Sequence, residues 1–258
     1  MLMVLSPAKK LDYDTPVRTT LQTYPVFPEQ TLELVRVMRR QSVASLSRLM
    51  DLSDALARLN AERYAAWVDK PDARHARQAA MAFNGDVYDG LRAPDLSDDR
   101  LSWAQDHLAI LSGLYGVLRP LDLIQPYRLE MGTSLHTKRG STLYAYWGDR
   151  IAQELNRRLD QASGERVLLN LASQEYFKSV ALKTLQARVV ECVFQDEKNG
   201  AWKVISFYAK RARGLMARFV IDRQIDSAAD LSAFDAGGYR YAADESTADR
   251  LVFRRSHC

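Results

Sequence analysis

The spacing of apolar positions changes several times along the chain, and each change predicts an element. Residues 2–5 (LMVL) are an unbroken apolar run, the pattern of a strand buried on both faces. From 29 to 112 apolar residues recur every three or four positions, which predicts a helical layer. Its helices are expected over 31–40, 53–68 and 72–83, with Ser53 and Asp72 as N-caps, and over 98–111, with Leu101, Ala104, Leu108 and Leu111 on one face. The stretch 83–90 (FNGDVYDG) interrupts that layer with glycines and aspartates, a composition suited to a tight turn that presents polar groups. A long amphipathic helix is expected from Tyr144 to Leu159, with the aromatics near its start, Tyr144, Tyr146 and Trp147, read as core.

Residues 167–171 (VLLNL) read as a buried strand, followed by a short helix capped by Ser173 in which Glu175 and Lys178 can pair. Strands over 189–194 and 202–207 flank Asn199-Gly200, a dipeptide that accepts the positive φ angles of a tight hairpin. The period then widens to that of a helix. Tyr208, Ala212, Leu215, Met216 and Phe219 fall on one face, Lys210, Arg211 and Arg218 on the other, and Arg213 at the border. Gly214 costs this helix roughly 1 kcal/mol relative to Ala, and a close approach of another backbone or a ligand is a reason to keep it. Short strands at 239–243 and 250–255 complete the pattern. No repeat, low-complexity tract or long polar linker divides it, so the expectation is one α/β domain over 1–258, a mixed sheet with a large helical layer.

Charge sharpens this picture in one region. The chain carries +4 overall, but between positions 178 and 223 ten bases face four acids, a surplus of six. A clustered excess of this kind favours an anionic partner, above all phosphate. The two cysteines, Cys192 and Cys258, support neither a disulfide framework nor a thiolate metal site, and His75, His107, His136 and His257 lack the short spacings of metal ligands. No metal or cofactor is expected. No apolar run is long enough to cross a bilayer and the first residues do not have the form of a signal peptide, so a cytoplasmic protein without membrane contact is expected, with a monomer as the default.

Candidate chemistry gathers where strands end. Ser6-Pro7-Ala8-Lys9-Lys10 leaves the first strand, and Asn170, Ser173, Glu175, Tyr176 and Lys178 follow the strand at 167–171; both are places where free amides and cations meet anions in α/β proteins. Arg128 and Glu130, in an irregular stretch bounded by Pro126 and Gly132, either satisfy each other or line a pocket. The run Gly113-Leu114-Tyr115-Gly116, between a helix and a second apolar turn, has the outline of a helix-hairpin-helix element, whose amides bind DNA phosphates without reading sequence. Its glycines are one residue further apart than usual, and Pro120 ends any second helix early.

Five motifs, LSPAKKLDY at 5–13, FNGDVYDGL at 83–91, LSGLYGVLRPLDLIQPYRLEMG at 111–132, NLASQEYFKSV at 170–180 and FQDEKNG followed by SFYAKRARGLMARF within 194–219, together resemble the bacterial YaaA family of peroxide stress-response proteins. The likeness spans nearly the whole chain. Asn84 stands where the family pattern leads one to expect a basic residue, which weakens a phosphate contact there. The resemblance implies a cytosolic protein that limits iron-driven oxidative damage, binds DNA with little sequence specificity, and has an unusual α/β fold with a positively charged cleft and a helix-hairpin-helix element. The residues add a location: Lys9, Lys10, Arg128, Lys178, Lys198, Lys210, Arg211, Arg213 and Arg218 as the phosphate-binding set. The alternative is an enzyme acting on a nucleotide or damaged base in a pocket of Glu130, Asn170, Ser173, Glu175 and Tyr176, although no nucleophile–base pair is legible. Direct iron sequestration fares worst, since the histidines and cysteines are dispersed and carboxylates alone hold Fe(II) weakly.

Overall fold

A computed structural model of the chain describes residues 1–72, 74–162 and 164–256, so His257 and Cys258 lie outside the described residues. In chain order the strands are β1 (Leu2–Leu5), β2 (Lys10–Leu11), β3 (Arg77–Gln78), β4 (Phe83–Asn84), β5 (Leu108–Ser112), β6 (Gly116–Leu118), β7 (Leu123–Ile124), β8 (Val167–Asn170), β9 (Arg188–Lys198), β10 (Ala201–Lys203), β11 (Arg240–Tyr241) and β12 (Arg250–Arg255). The helices are α1 (Pro28–Arg39), α2 (Val43–Met50), α3 (Asp54–Ala65), α4 (Ala79–Ala82), α5 (Asp86–Leu91), α6 (Asp98–His107), α7 (Leu143–Trp147), α8 (Arg150–Gln161), α9 (Gln174–Phe177) and α10 (Ser206–Arg223).

The expected mixed α/β architecture is what the chain adopts. Its main sheet runs β11-β12-β9-β8-β1-β5-β6, with β10 hooked onto the end of β9, and two small ladders pair β2 with β4 and β3 with β7. At the centre, β1 is parallel to β5 on one side and to β8 on the other, with Met3 opposite both Leu108 and Leu169. Every residue of β1, β5 and β8 is buried, which is why their sequences are continuous apolar runs and not alternating ones. The hairpin predicted at Asn199-Gly200 is present, with φ of 55° and 71°. Its second strand stops at Lys203, and α10 begins at Ser206.

α10 crosses α5 so closely that a Cβ on Gly214 would stand 1.8 Å from the Val87 carbonyl oxygen, and one on Gly90 would stand 2.2 Å from the Arg211 carbonyl oxygen. The close backbone approach expected at Gly214 is therefore found, and Gly90 is its counterpart. Arg218 fastens the same crossing: its Nη1 donates to the Arg92 carbonyl at 3.1 Å, beyond the end of α5.

Several expectations need correction. Residues 72–83 are not one helix. Asp72 folds its carboxylate onto the Arg74 amide, and the amides of Ala79 and Ala80 bond to the carbonyls of Asp122 and Pro120, so tertiary partners displace the intrahelical ladder. The polar stretch 83–90 is strand and helix, β4 and α5, and not a turn. The helix predicted over 98–111 ends at His107, because 108–112 is β5, whose apolar run fits a buried strand as well as a helix. The element around Gly113–Gly116 is consequently strand, turn and strand, not helix-hairpin-helix. Its residues are buried, and the Gly113 carbonyl accepts from the Trp147 indole at 3.0 Å. The helix expected over 144–159 breaks at Gly148, with φ 51° and ψ −127°, into α7 and α8. Tyr146 and Trp147 are core, as read.

Candidate functional site

Because the chain leaves β1 toward β5 on one side and later returns to β8 on the other, the loops at the C-terminal ends of β1 and β8 diverge around a crevice, the usual ligand position in open α/β sheets. A cavity of about 480 Å³ opens there. Two serines tie its floor together: the Ser173 amide donates to Ser6 Oγ at 2.9 Å, and the Tyr88 hydroxyl donates to the Ser6 carbonyl at 3.0 Å. Ser173 Oγ in turn accepts from the Tyr176 amide, the cap predicted for α9. Asn170, buried at the end of β8, shapes this turn by accepting from the Ala172 amide at 3.0 Å and lies behind the lining.

Of the phosphate-binding set, Lys9, Lys10, Arg128, Lys210 and Arg213 line the cavity, together with Asp86, Glu130 and Glu175. Five bases face three acids, so free partners matter more than net charge. Lys9 Nζ lies 2.6 Å from Glu130 Oε2, and Arg128 donates to Glu130 Oε1 at 3.0 Å, so Glu130 is neutralised and both readings of the Arg128–Glu130 pair hold at once. Lys10, Lys210 and Arg213 make no ion pair or side-chain hydrogen bond among the described residues. Burial lowers the Arg213 guanidinium from its ordinary value, against the opposing effects of Cys192 and Glu191. A bare cation held against a poorly solvated wall is a group that an incoming anion relieves.

The other members of that set lie outside the lining. Arg211 is exposed on α10, and Lys198 sits exposed at the end of β9. Lys178 is not paired with Glu175; its Nζ stands over the Tyr144 ring at 5.0 Å, while Glu175 Oε1 accepts from the Gly132 amide at 2.9 Å. Arg218 is engaged by Asp222 Oδ2 at 2.7 Å as well as by the Arg92 carbonyl. The Gly113–Gly116 turn supports the site from beneath: a Cβ on Gly113 would stand 2.3 Å from the Leu129 carbonyl oxygen, in the segment that carries Arg128 and Glu130.

Tyr127 and Tyr176 also line the cavity, and burial raises both phenols, so they stay neutral and serve as rings and hydrogen-bonding groups, not bases. Sequence reasoning tied Asn84 to a phosphate contact, and the cavity does include it, but Asp86 beside it was not singled out. The signal available was Gly85, whose φ of 155° turns the chain from β4 into α5. Among the described residues no three of His, Cys, Asp and Glu gather as metal ligands would, and no helix is long and apolar enough to cross a membrane.

Together the sheet and its crevice define a class: a mixed-sheet α/β protein with a polar cavity over the C-terminal ends of its central parallel strands. The chain belongs to the peroxide stress protein YaaA family, whose sequence model matches residues 1–245. It is 64% identical over 257 residues to a UPF0246 protein of Delftia acidovorans, spanning 99% of this chain and 98% of that one. A UPF0246 protein of Bordetella petrii is 60% identical over 257 residues, and one of Azoarcus sp. 57% identical over 258, each spanning 99% of both chains. Family membership supports a role in peroxide stress.

Proposed function

We propose that this protein acts in the response to hydrogen peroxide by binding DNA through phosphate contacts with little sequence specificity, limiting iron-driven damage to it. The observation that carries the reading is the convergence of Lys10, Lys210 and Arg213, unpaired among the described residues, on one crevice. Exposed Arg211 and Lys178 extend the cationic surface beyond it. Cations free of carboxylate partners are the ones that release counterions when phosphate arrives, and base-reading side chains are not required.

The test is fluorescence anisotropy of labelled duplex, bubble and single-stranded DNA across a salt series, with a Lys210→Glu/Arg211→Glu variant in parallel. Each phosphate contact contributes about −0.9 to the slope of log K against log salt on duplex DNA. The expected result is a steep slope, similar affinity for unrelated sequences, and a weaker, flatter response in the variant. Equal affinity of wild type and variant would remove α10 from the interface.

A further inference from the structure

We propose that the crevice above β1 and β8 is a receptor for one nucleoside 5′-monophosphate, either free or as a single nucleotide swung out of a DNA strand. The proposal rests on the same cations as the DNA reading and specifies what enters between them. Size is the first argument. About 480 Å³ lies in the range of sites that enclose small organic ligands, about 300–1,000 Å³. A lone phosphate fills a small part of such a space, and a duplex can only lie across its mouth, with its phosphates against the cations at the rim.

Polarity is the second. The unpaired cations come from the β2–β4 side and from α10, whereas the acceptors come from α9 and the turn before it. Glu175 has one carboxylate oxygen held by the Gly132 amide and the other without a hydrogen-bond partner among the described residues, and Ser173 lies beside it in the lining. A ligand that satisfies both sets has an anion at one end and hydrogen-bond donors at the other, as a phosphate, a sugar hydroxyl and a base edge supply. A longer polyphosphate brings extra negative charge toward Glu175. Apolar surface in the lining comes from Val87, Leu129 and Leu171 and the neutral rings of Tyr127 and Tyr176, a surface fit for the face of a base. A nucleotide bound in this way from within DNA must leave its stack, which is easiest where it is unpaired or damaged.

The experiment is titration calorimetry of the full chain with deoxynucleoside 5′-monophosphates, the matching nucleosides, the 5′-diphosphates and inorganic phosphate. In parallel, 2-aminopurine placed unpaired in a duplex reports extrusion by its fluorescence. The expected result is one site per chain that prefers a monophosphate to its nucleoside and to phosphate by about tenfold or more, a difference of about 1.4 kcal/mol. Lys210→Gln, an exposed position, should weaken monophosphate binding about tenfold without changing the melting temperature. Glu175→Gln should narrow the preference for monophosphate over diphosphate. A fluorescence rise with the unpaired probe, suppressed by Lys210→Gln, assigns the ligand to DNA; monophosphate binding without it assigns the ligand to the free pool. Duplex binding with its salt slope intact, but neither monophosphate binding nor a probe response, overturns the receptor and leaves the DNA reading standing. Loss of all three overturns both.

Discussion

Replacing Gly214 by Ala is the substitution whose outcome separates packing from propensity most sharply. In an exposed helix the change would add roughly 1 kcal/mol of stability. Here the new Cβ would stand 1.8 Å from the Val87 carbonyl oxygen and 2.8 Å from the Leu91 amide nitrogen, both backbone atoms that no rotamer change can move. A carbon rests about 3.3–3.6 Å from a carbonyl oxygen, so α5 and α10 must part by roughly 1.5 Å. Overpacking of this kind costs typically 1–3 kcal/mol and occasionally more, and parting the helices also weakens the burial of Ala212 and Val87. The expected net loss is about 2–4 kcal/mol, or roughly 5–15 °C in melting temperature for a chain of this size. Urea unfolding followed by circular dichroism gives the difference directly. Gly90→Ala meets the Arg211 carbonyl oxygen at 2.2 Å and should behave alike, while the double variant should cost less than the sum, since the first substitution already opens the crossing. A Gly214→Ala midpoint at or above wild type, with an unchanged denaturant slope, would refute the argument.

Arg255→Ala should cost about 3–5 kcal/mol, because Asp196 is fully buried and accepts from Arg255 Nε at 2.7 Å, and removing the cation leaves a buried carboxylate undercompensated. A change below about 1 kcal/mol in thermal or urea unfolding would show that the pair is dispensable. Burial lowers the pKa of His107, whose Nδ1 hydrogen bonds the Trp103 carbonyl at 2.8 Å and whose ring stacks on Trp103. The unfolded chain therefore takes up this proton first, so stability should fall as pH drops below about 6.5. His107→Gln should flatten that part of the urea-midpoint profile, and identical profiles would rule out His107 as the source. Arg128→Ala leaves Glu130 its Lys9 partner, so unfolding should shift by about 1 kcal/mol or less while DNA affinity drops. Unfolding of this variant would make Arg128 a structural ion-pair residue.

Local signals were legible where neighbours in sequence decide the outcome. Asn199-Gly200 adopts its turn through its own backbone preferences, and the apolar runs of β1 and β8 declare burial on both faces. The strand ends after them pointed to Lys9, Lys10, Ser173, Glu175 and Tyr176, which the cavity does bring together with Lys210 and Arg213. What the sequence hid depends on partners far along the chain. LAIL at 108–111 satisfies helical and strand patterns equally until β1 claims it. Helical periodicity put Arg218 on the cationic face of α10, yet Asp222 and the Arg92 carbonyl engage it, and nothing near 218 foretells α5 as a neighbour. Gly214 announced a close contact, and only the fold supplies Gly90 as its other half.

The parallel centre of the sheet also governs how the chain reaches its fold. Met3 completes its pairing only when Leu108 and Leu169 arrive, so β1 must wait until β8, more than 160 residues later, has left the ribosome. Until β5 arrives both edges of β1 carry unpaired amides and carbonyls, and until β8 arrives one edge still does, able to pair with the wrong chain. So non-local a topology favours slow acquisition of the native sheet and dependence on chaperones during synthesis. The crevice forms only with that last pairing, since its floor needs the ends of β1 and β8 side by side. Ligand-binding competence is therefore a late property of this molecule, gained only after β8 and then α10 are in place, and a partly folded chain should not display it.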